Sequence, residues 1–201
     1  MTVPEIERLR DLLTRSQGIN PAFASAEGHF LRGNAYYESG QYREAVGSYT
    51  ETLRLRPAHP ETYNNRGAAY DDLGKHEKAA GNNLDSGLLF QKAIADYSEA
   101  LRLRPDDPEV YYNRGNAYGD LGEHQKAIED YTEALRLRPD DPEAYFNRAC
   151  MYSLQQDIEA CVESLKRAIE LDESNKESGR TDPDLEWARQ DERVRKLLDI
   201  T

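Results

Sequence analysis

A pattern that recurs along the chain constrains its fold more than any other feature. The strings LRLRPAHPETYNNRGAAYDDLG, LRLRPDDPEVYYNRGNAYGDLG and LRLRPDDPEAYFNRACMYSL begin at Leu53, Leu101 and Leu135. Pro105 and Pro139, which close two of the units, lie 34 residues apart. A fixed period of this size predicts a solenoid, in which neighbouring units bury one another's faces.

Each period contains two helical patterns, most clearly between Pro108 and Pro139. Apolar and small residues fall at helical spacing in two stretches, one made of Tyr111, Gly115, Tyr118 and Leu121, the other of Ala127, Ile128, Tyr131, Ala134 and Leu135. Gly122 lies between them and favours a tight turn. Proline is accepted in the first turn of a helix, so Pro142 predicts the start of the next one.

The small residues predict close helix packing. They recur at Gly33, Gly67, Gly115 and Ala149, and we expect them to face Ala45, Ala127 and Cys161 of the second helices. Tyrosines fill the remaining space in this interpretation, namely Tyr36, Tyr70, Tyr118 and Tyr152 together with Tyr49, Tyr97 and Tyr131. A buried tyrosine removes roughly 150–250 Å² from water, so these rings should dominate the stacking energy.

The pattern resembles the tetratricopeptide repeat family. Seven residues match its signature in order, namely Tyr111, Gly115, Tyr118, Ala127, Tyr131, Ala134 and Pro139. The resemblance implies an all-α, right-handed superhelix of four helix-turn-helix repeats, at 26–59, 60–107, 108–141 and 142–175. The fourth repeat departs from the pattern, because Glu173 replaces the closing proline.

Both ends of the chain are predicted to cap the solenoid. Residues 1–25 read as an N-terminal capping helix and linker, with a helix-start signal at Thr2, Pro4 and Glu5. Residues 176–201 read as C-terminal capping helices. Their apolar residues are expected to cover the last repeat, namely Leu185, Trp187, Val194, Leu197 and Leu198.

The second repeat is irregular, because Pro57 and Pro105 are 48 residues apart, 14 more than the period. We place the insertion near 80–93 and predict that Gly81–Asp85 leaves the helix, with Ser86 capping a lengthened second helix. The apolar residues Leu84, Leu88, Leu89 and Phe90 contact a partner or a second copy of the chain in one interpretation, including by domain exchange. In the other, they pack back onto the chain.

The resemblance implies that the first helix of each repeat lines a concave groove that binds extended peptides. The groove residues are then Asn34, Asn64, Asn65, Asn113, Asn116, Asn147, Tyr112 and Phe146. Asn65, Asn113 and Asn147 occupy the same place in successive repeats. Asparagine carries both a donor and an acceptor, so a row of these residues matches a peptide backbone rather than a particular sequence. The alternative is that these asparagines bond within the scaffold or simply face water.

Relatives that grip acidic chaperone tails use lysines and an arginine in a carboxylate clamp. That clamp also contains asparagines, and Asn34 and Asn65 match them. Its lysines and its arginine are not matched, because Phe30, Glu109 and Asn113 stand at those positions. Acidic groove residues instead predict a neutral or basic partner segment. We expect Arg32, Arg66, Arg114 and Arg148, which also recur, to form a network with acids such as Asp71, Asp96 and Asp130 rather than an anion site.

Composition narrows the function classes. The formal charge is −12, and no lysine or arginine cluster suited to nucleic acid or anionic membranes is present. The chain has no apolar run near 18 residues and no signal-peptide core, which predicts a cytoplasmic protein. The two cysteines, Cys150 and Cys161, are expected to be lone apolar residues.

No metal, cofactor or catalytic motif is found in the sequence. We therefore predict a non-catalytic scaffold that binds a protein or peptide. Two alternatives remain open: a self-assembly module that uses the insertion or the solenoid ends, and a helical subunit that docks onto a catalytic partner.

Overall fold

The computed structural model of the protein describes residues 25–200. Every regular element in this range is a helix, which confirms the all-α prediction. The predicted N-terminal capping helix lies outside the described residues. The helices are α1 (Ala26–Glu38), α2 (Tyr42–Leu55), α3 (Pro60–Ala79), α4 (Asn83–Leu103), α5 (Pro108–Asp120), α6 (His124–Leu137), α7 (Pro142–Leu154), α8 (Ile158–Leu171), α9 (Asn175–Thr181) and α10 (Glu192–Leu197), with short 3-10 helices at Pro183–Leu185 and Ala188–Gln190.

The chain divides into two compact units, and the boundary lies between Pro105 and Asp106. In the described part of the first unit, α1 packs against α2, α2 against α3, and α3 against α4. In the second unit, α5 to α8 pack in the same succession. Within each unit, successive helices of the repeats therefore contact one another, as the repeat pattern predicts.

Tight turns join the two helices of each pair. Gly40, Gly81 and Gly122 have φ of +72°, +85° and +79° at equivalent places in three of the turns. Glycine adopts this left-handed conformation without a steric penalty, which explains why the residue recurs there. In the fourth turn Gln156 takes the same position with φ of +62°.

In the first three helix pairs, an aromatic ring lies over a glycine, which has no side chain. Tyr131 is 2% exposed, and a Cβ atom added to Gly115 would lie 2.8 Å from its Cε1. Tyr97 has the same relation to Gly67. The packing role predicted for the small residues is thus confirmed at these positions.

The insertion lengthens both helices of the second pair equally. Helix α3 has 20 residues where α5 has 13, and α4 has 21 where α6 has 14, so each gains seven. Seven residues make about two turns, which nearly preserves the direction of the side chains. The added turns repeat the packing, because Gly74 lies opposite the buried ring of Phe90.

Two predictions about this segment are wrong. Gly81–Asp85 does not leave the helix as a block, because only Ala80–Asn82 form the turn and α4 begins at Asn83. Ser86 is not an N-cap either; it lies inside α4, buried, and its hydroxyl donates to the carbonyl oxygen of Asn83. Extending both helices keeps the turn at their end and gives each added turn its own packing partner.

The C-terminal segment covers α8. Leu185, Ala188, Val194 and Leu198 are all fully buried. They join the same core cluster as Cys161, Leu165 and Ala168 of α8, with Trp187 and Leu197 packed at its edge. The apolar face of the last repeat is therefore closed by residues that follow it in the chain.

Candidate functional site

The predicted asparagine residues form a hydrogen-bonded pair in the first unit. Asn34 of α1 follows Gly33, and its Oδ1 accepts from the Tyr49 hydroxyl at 2.8 Å. The same oxygen accepts from Nδ2 of Asn65, on α3, at 3.1 Å. A tyrosine beneath the face and an asparagine of the next first helix thus hold Asn34 in place.

The second unit repeats this arrangement. Asn116 Oδ1 accepts from the Tyr131 hydroxyl at 2.8 Å and from Asn147 Nδ2 at 3.1 Å. Nδ2 of Asn147 also donates to the Tyr112 hydroxyl oxygen at 3.1 Å. Asn34–Asn65 and Asn116–Asn147 are called the asparagine pairs below. Recurrence of the same geometry shows that the repeated sequence itself builds it.

The tyrosine donors were not recognised from the sequence as part of this site. Burial raises the pKa of Tyr131 well above its usual range and raises that of Tyr49 as well, so both phenols stay protonated and donate. A sequence signal exists: in both units the tyrosine follows the asparagine by 15 residues. This spacing joins the first helix of a repeat to the second.

Each asparagine pair keeps hydrogen-bonding capacity on the half-buried face. A side-chain amide offers two donors on its nitrogen and two acceptor positions on its oxygen. Within residues 25–200, no further hydrogen bond engages Nδ2 of Asn34 or Oδ1 of Asn65. In the same range Oδ1 of Asn147 is likewise not engaged, and Nδ2 of Asn116 directs one of its two hydrogens to the Tyr112 hydroxyl oxygen. Each pair can therefore present one donor group and one acceptor to a peptide unit.

The remaining predicted groove residues lie in different environments. Asn64 and Asn113 are half-buried on α3 and α5, as is Tyr112, whose ring packs on Tyr131 with centroids 5.9 Å apart. Phe146 is 7% exposed and belongs to the core of the second unit. Its prediction as a groove residue is wrong, because its ring is used in packing α7.

Several acidic side chains near the first helices already have partners. Asp72 accepts from the Tyr37 hydroxyl at 2.7 Å, and Glu143 accepts from that of Tyr112 at 3.4 Å. Glu61 forms an ion pair with Arg104. Arg104 offsets the charge of Glu61, whereas Asp72 and Glu143 accept from neutral hydroxyls and keep their negative charge on this face.

The four apolar residues of the insertion separate by burial. Leu84 is 92% exposed and Leu88 is 53% exposed, one turn apart on α4. Leu89 is half-buried, and Phe90 is 1% exposed beneath Gly74. Phe90 is therefore a core residue and not a contact for a partner, whereas Leu84 and Leu88 face outward.

The recurring arginines bond within the scaffold. Arg66 contacts both carboxylate oxygens of Asp96 at 2.7 Å, and Arg114 contacts those of Asp130 at the same distance. Asp71 has a different partner, since Lys75 Nζ lies 2.6 Å from its Oδ2. The network prediction is confirmed for Asp96 and Asp130, and no arginine of these two pairs is left to bind an anion.

The cysteines lack the character of nucleophiles. Burial raises the pKa of the Cys161 thiol to about 12, and burial with the charges of Asp182 and Asp184 raises that of Cys150. A thiol that stays protonated is a poor nucleophile and metal ligand. Across the described residues, no group of histidine, cysteine and acidic side chains is placed to hold a metal ion. None of the helices in that range is long and apolar enough to cross a membrane.

Two sequence profiles match the chain. One, described as tetratricopeptide repeat, matches residues 108–141 and 142–175. The other, described as TPR repeat, matches 33–79 and 90–122. The two matches of the second profile leave out 80–89, where the lengthened helix pair makes its turn.

Individual relatives agree with these profiles. The chain is 46% identical over 48 residues to the heat-shock protein cognate co-chaperone sgt12 of Aspergillus fumigatus, covering 24% of this chain and only 14% of the relative. Among solved structures it is similar to MamA, with TM-score 0.67, 23% identity, and 86% and 89% of the two chains covered. It is also similar to the first TPR of Spaghetti (RPAP3) bound to the HSP90 peptide SRMEEVD, with TM-score 0.57, 27% identity, and 69% and 99% covered.

Proposed function

Because this chain belongs to the tetratricopeptide repeat family, we propose that it is a non-catalytic scaffold that binds an extended peptide segment of another protein. The asparagine pairs carry this proposal. They recur in both units, lie on the first helices, and retain a donor and an acceptor each. Each pair contacts a peptide backbone and leaves side-chain specificity to neighbouring residues.

The peptide-bound relative supports a peptide ligand, but the chemistry of this chain favours a different one. SRMEEVD is acidic at its C-terminal end, whereas this chain carries a net charge of −12 and has Phe30 at a clamp position that would need a lysine. Like charges brought together at an interface cost binding energy. We therefore propose a neutral or basic segment as the ligand of the asparagine pairs.

Selection from a random peptide library displayed on phage tests this proposal. The full chain is the bait, and binding of an enriched peptide is then measured by calorimetry. A neutral hydrogen bond contributes about 0.5–1.5 kcal/mol, so Asn65→Ala and Asn147→Ala should each weaken binding about three- to tenfold. Enriched peptides should be neutral or basic.

A matched control separates binding from folding. Gln91→Ala removes an exposed amide from α4, away from the asparagine pairs, and should leave binding unchanged. Thermal melts show whether each variant is folded at the temperature of the titration. Equal affinity of the asparagine variants and the parent chain, or enrichment of acidic peptides, would contradict the proposal.

A second candidate function is self-association through the tip of the lengthened pair. Leu84 and Leu88 support it, because large apolar side chains this exposed, one turn apart, resemble the centre of a small interface. Sedimentation equilibrium tests it, comparing the parent chain with Leu84→Ser/Leu88→Ser. A monomeric parent chain at high concentration would remove this candidate.

A further inference from the structure

The aromatic residue beside each asparagine pair differs between the two units by one hydroxyl group. Phe30 of α1 and Tyr112 of α5 each precede the first asparagine of their pair by four residues. The ring of Phe30 lies 6.2 Å from that of Tyr49, centroid to centroid, with 51° between their planes. The rings of Tyr112 and Tyr131 are 5.9 Å apart with 52° between their planes. Phe30 therefore corresponds to Tyr112 without the hydroxyl.

In the second unit, the Tyr112 hydroxyl is bonded to the asparagine pair itself. Its oxygen accepts from Nδ2 of Asn147 at 3.1 Å and also from Nδ2 of Asn116. Its own hydrogen is donated to Oε2 of Glu143 at 3.4 Å, which leaves the lone pairs of the oxygen for the two amides. The carbonyl oxygen of a bound peptide would accept from the same kind of donor. The Tyr112 hydroxyl thus takes donors that a ligand needs.

In the first unit, the aromatic residue takes no donor from the pair. Phe30 has no oxygen, and within residues 25–200 Nδ2 of Asn34 makes no hydrogen bond. Both hydrogens of this group therefore remain for a ligand, whereas Asn116 keeps one. Tyr112 and the asparagines of both pairs are half-buried, so a ligand can reach them from solvent.

This difference makes the two pairs unequal as binding positions. A ligand carbonyl at Asn116 competes with a hydroxyl that is already bonded there, whereas one at Asn34 displaces water. We infer that the Tyr112 hydroxyl lowers the affinity of the second unit for a peptide, so that the pair of the first unit is the stronger binding position. This rests on the proposed function, in which the asparagine pairs contact a peptide backbone.

Exchanging the two aromatic residues tests the role of the hydroxyl in the full chain. The probe is the peptide enriched from the phage library, and calorimetry measures its affinity. Tyr112→Phe removes the competing oxygen and should strengthen binding about threefold. Phe30→Tyr adds an oxygen at the equivalent place and should weaken binding about threefold. A hydroxyl that affected only the packing of the helices would not change affinity in opposite directions.

The asparagine variants compare the two binding positions. Asn65→Ala should weaken binding more than Asn147→Ala, because the first unit is the stronger position. Tyr111→Phe is the control for loss of a tyrosine hydroxyl. It changes the residue next to Tyr112 on α5, which makes no hydrogen bond to either pair within the described residues, and should leave affinity unchanged. Thermal melts show that each variant is folded at the temperature of the titration.

The outcomes separate this inference from the proposed function. Binding that is unchanged or weaker in Tyr112→Phe, or stronger in Phe30→Tyr, would overturn the inference. A gain in Tyr111→Phe equal to that in Tyr112→Phe, or a loss in Asn147→Ala at least equal to that in Asn65→Ala, would also overturn it. In each of these cases the proposed function stands if the asparagine variants weaken binding. If neither asparagine variant weakens binding, the proposed function fails and the inference fails with it.

Discussion

At the scale of single residues, the same two contacts recur along the chain. A ring lies over a glycine, as Tyr131 lies over Gly115, and an arginine of the first helix reaches the second helix. The ring contact needs a residue without Cβ on the first helix. The arginine contact needs a polar side chain at the facing position of the second helix. Both requirements can be tested by substitution, because the repeats offer matched positions.

Replacing Gly115 by alanine should destabilise the protein. The added Cβ would lie 2.8 Å from Tyr131 Cε1, and overpacking of this kind costs about 1–3 kcal/mol, more than the gain of about 1 kcal/mol in helix propensity. Gly47→Ala is the control, because Gly47 lies in α2 with nothing within 4 Å of its Cβ position. It should stabilise by about 0.5–1 kcal/mol. Urea denaturation followed by circular dichroism measures both, and a stabilised Gly115→Ala would show that Tyr131 can move aside.

Arg114→Ala should be far more costly than Arg148→Ala. Asp130 is 5% exposed and loses its bidentate partner in the first variant, which costs about 3–5 kcal/mol. Arg148 holds the equivalent position but bonds to the hydroxyls of Ser164 and Thr132, so its loss should cost about 1 kcal/mol. Urea denaturation of Arg114→Ala and Arg148→Ala gives the two free energies of unfolding to be compared. Equal values would mean that the carboxylate is hydrated once the arginine is gone.

At the scale of helices, the second pair shows how a repeat changes length without changing its packing. The seven residues added to each helix place Gly74 over Phe90, as Gly67 is over Tyr97. The turn stays at the end of the pair, with Gly81 in the left-handed conformation. In this pair, both helices are therefore longer by the same amount, about two turns.

Removing the added turns from both helices should preserve the fold. Deleting 73–79 and 83–89 together leaves helices of 13 and 14 residues around Ala80–Asn82, the lengths of α5 and α6. Deleting only 73–79 leaves the added turns of α4 without the residues of α3 that face them, and Phe90 without Gly74. We expect the double deletion to unfold cooperatively near the parent midpoint and the single deletion to be strongly destabilised. A double deletion no more stable than the single one would refute the matched-length interpretation.

The turn between α7 and α8 differs from the other three, because a residue other than glycine occupies its left-handed position. Gln156 has φ of +62°, a conformation that costs a non-glycine residue about 1–2 kcal/mol. Gln156→Gly should stabilise by about 0.5–1 kcal/mol after the added freedom of the unfolded chain is subtracted. Gly122→Ala, at the equivalent turn with φ of +79°, should destabilise by about 1 kcal/mol. Thermal melts of the two variants should shift in opposite directions.

At the scale of the whole molecule, stability is divided between units with their own cores. The core cluster from Ala127 to Leu198 lies entirely in the second unit, and its members come from α6, α7, α8 and the C-terminal segment. That segment supplies four fully buried residues to it. The second unit thus needs residues beyond its last repeat to close its core.

Fragments of the second unit test this division. Residues 106–201 should give a helical spectrum and a cooperative melt, because the fragment keeps the whole cluster. Residues 106–175 lose Leu185, Ala188, Val194 and Leu198, which exposes the apolar face of α8 around Leu165. We expect this shorter fragment to melt without cooperativity or to aggregate. Equal cooperativity of the two fragments would mean that the C-terminal segment is not part of the fold's core.

The sequence by itself determined the local features of this protein: the period, the helix pairs, the turn at Gly122, and the small residues that admit tyrosine rings. These follow from backbone preferences and spacing along one helix. Only the tertiary structure decided which side chains are available to a ligand. Phe146 and Phe90 look equally suited to surface or core in the sequence, and packing buried them. The Asn34–Asn65 hydrogen bond joins residues on different helices. The added residues are divided between two helices because residues of one helix must face residues of the other. Such choices are made by contacts between distant positions, which no local pattern specifies.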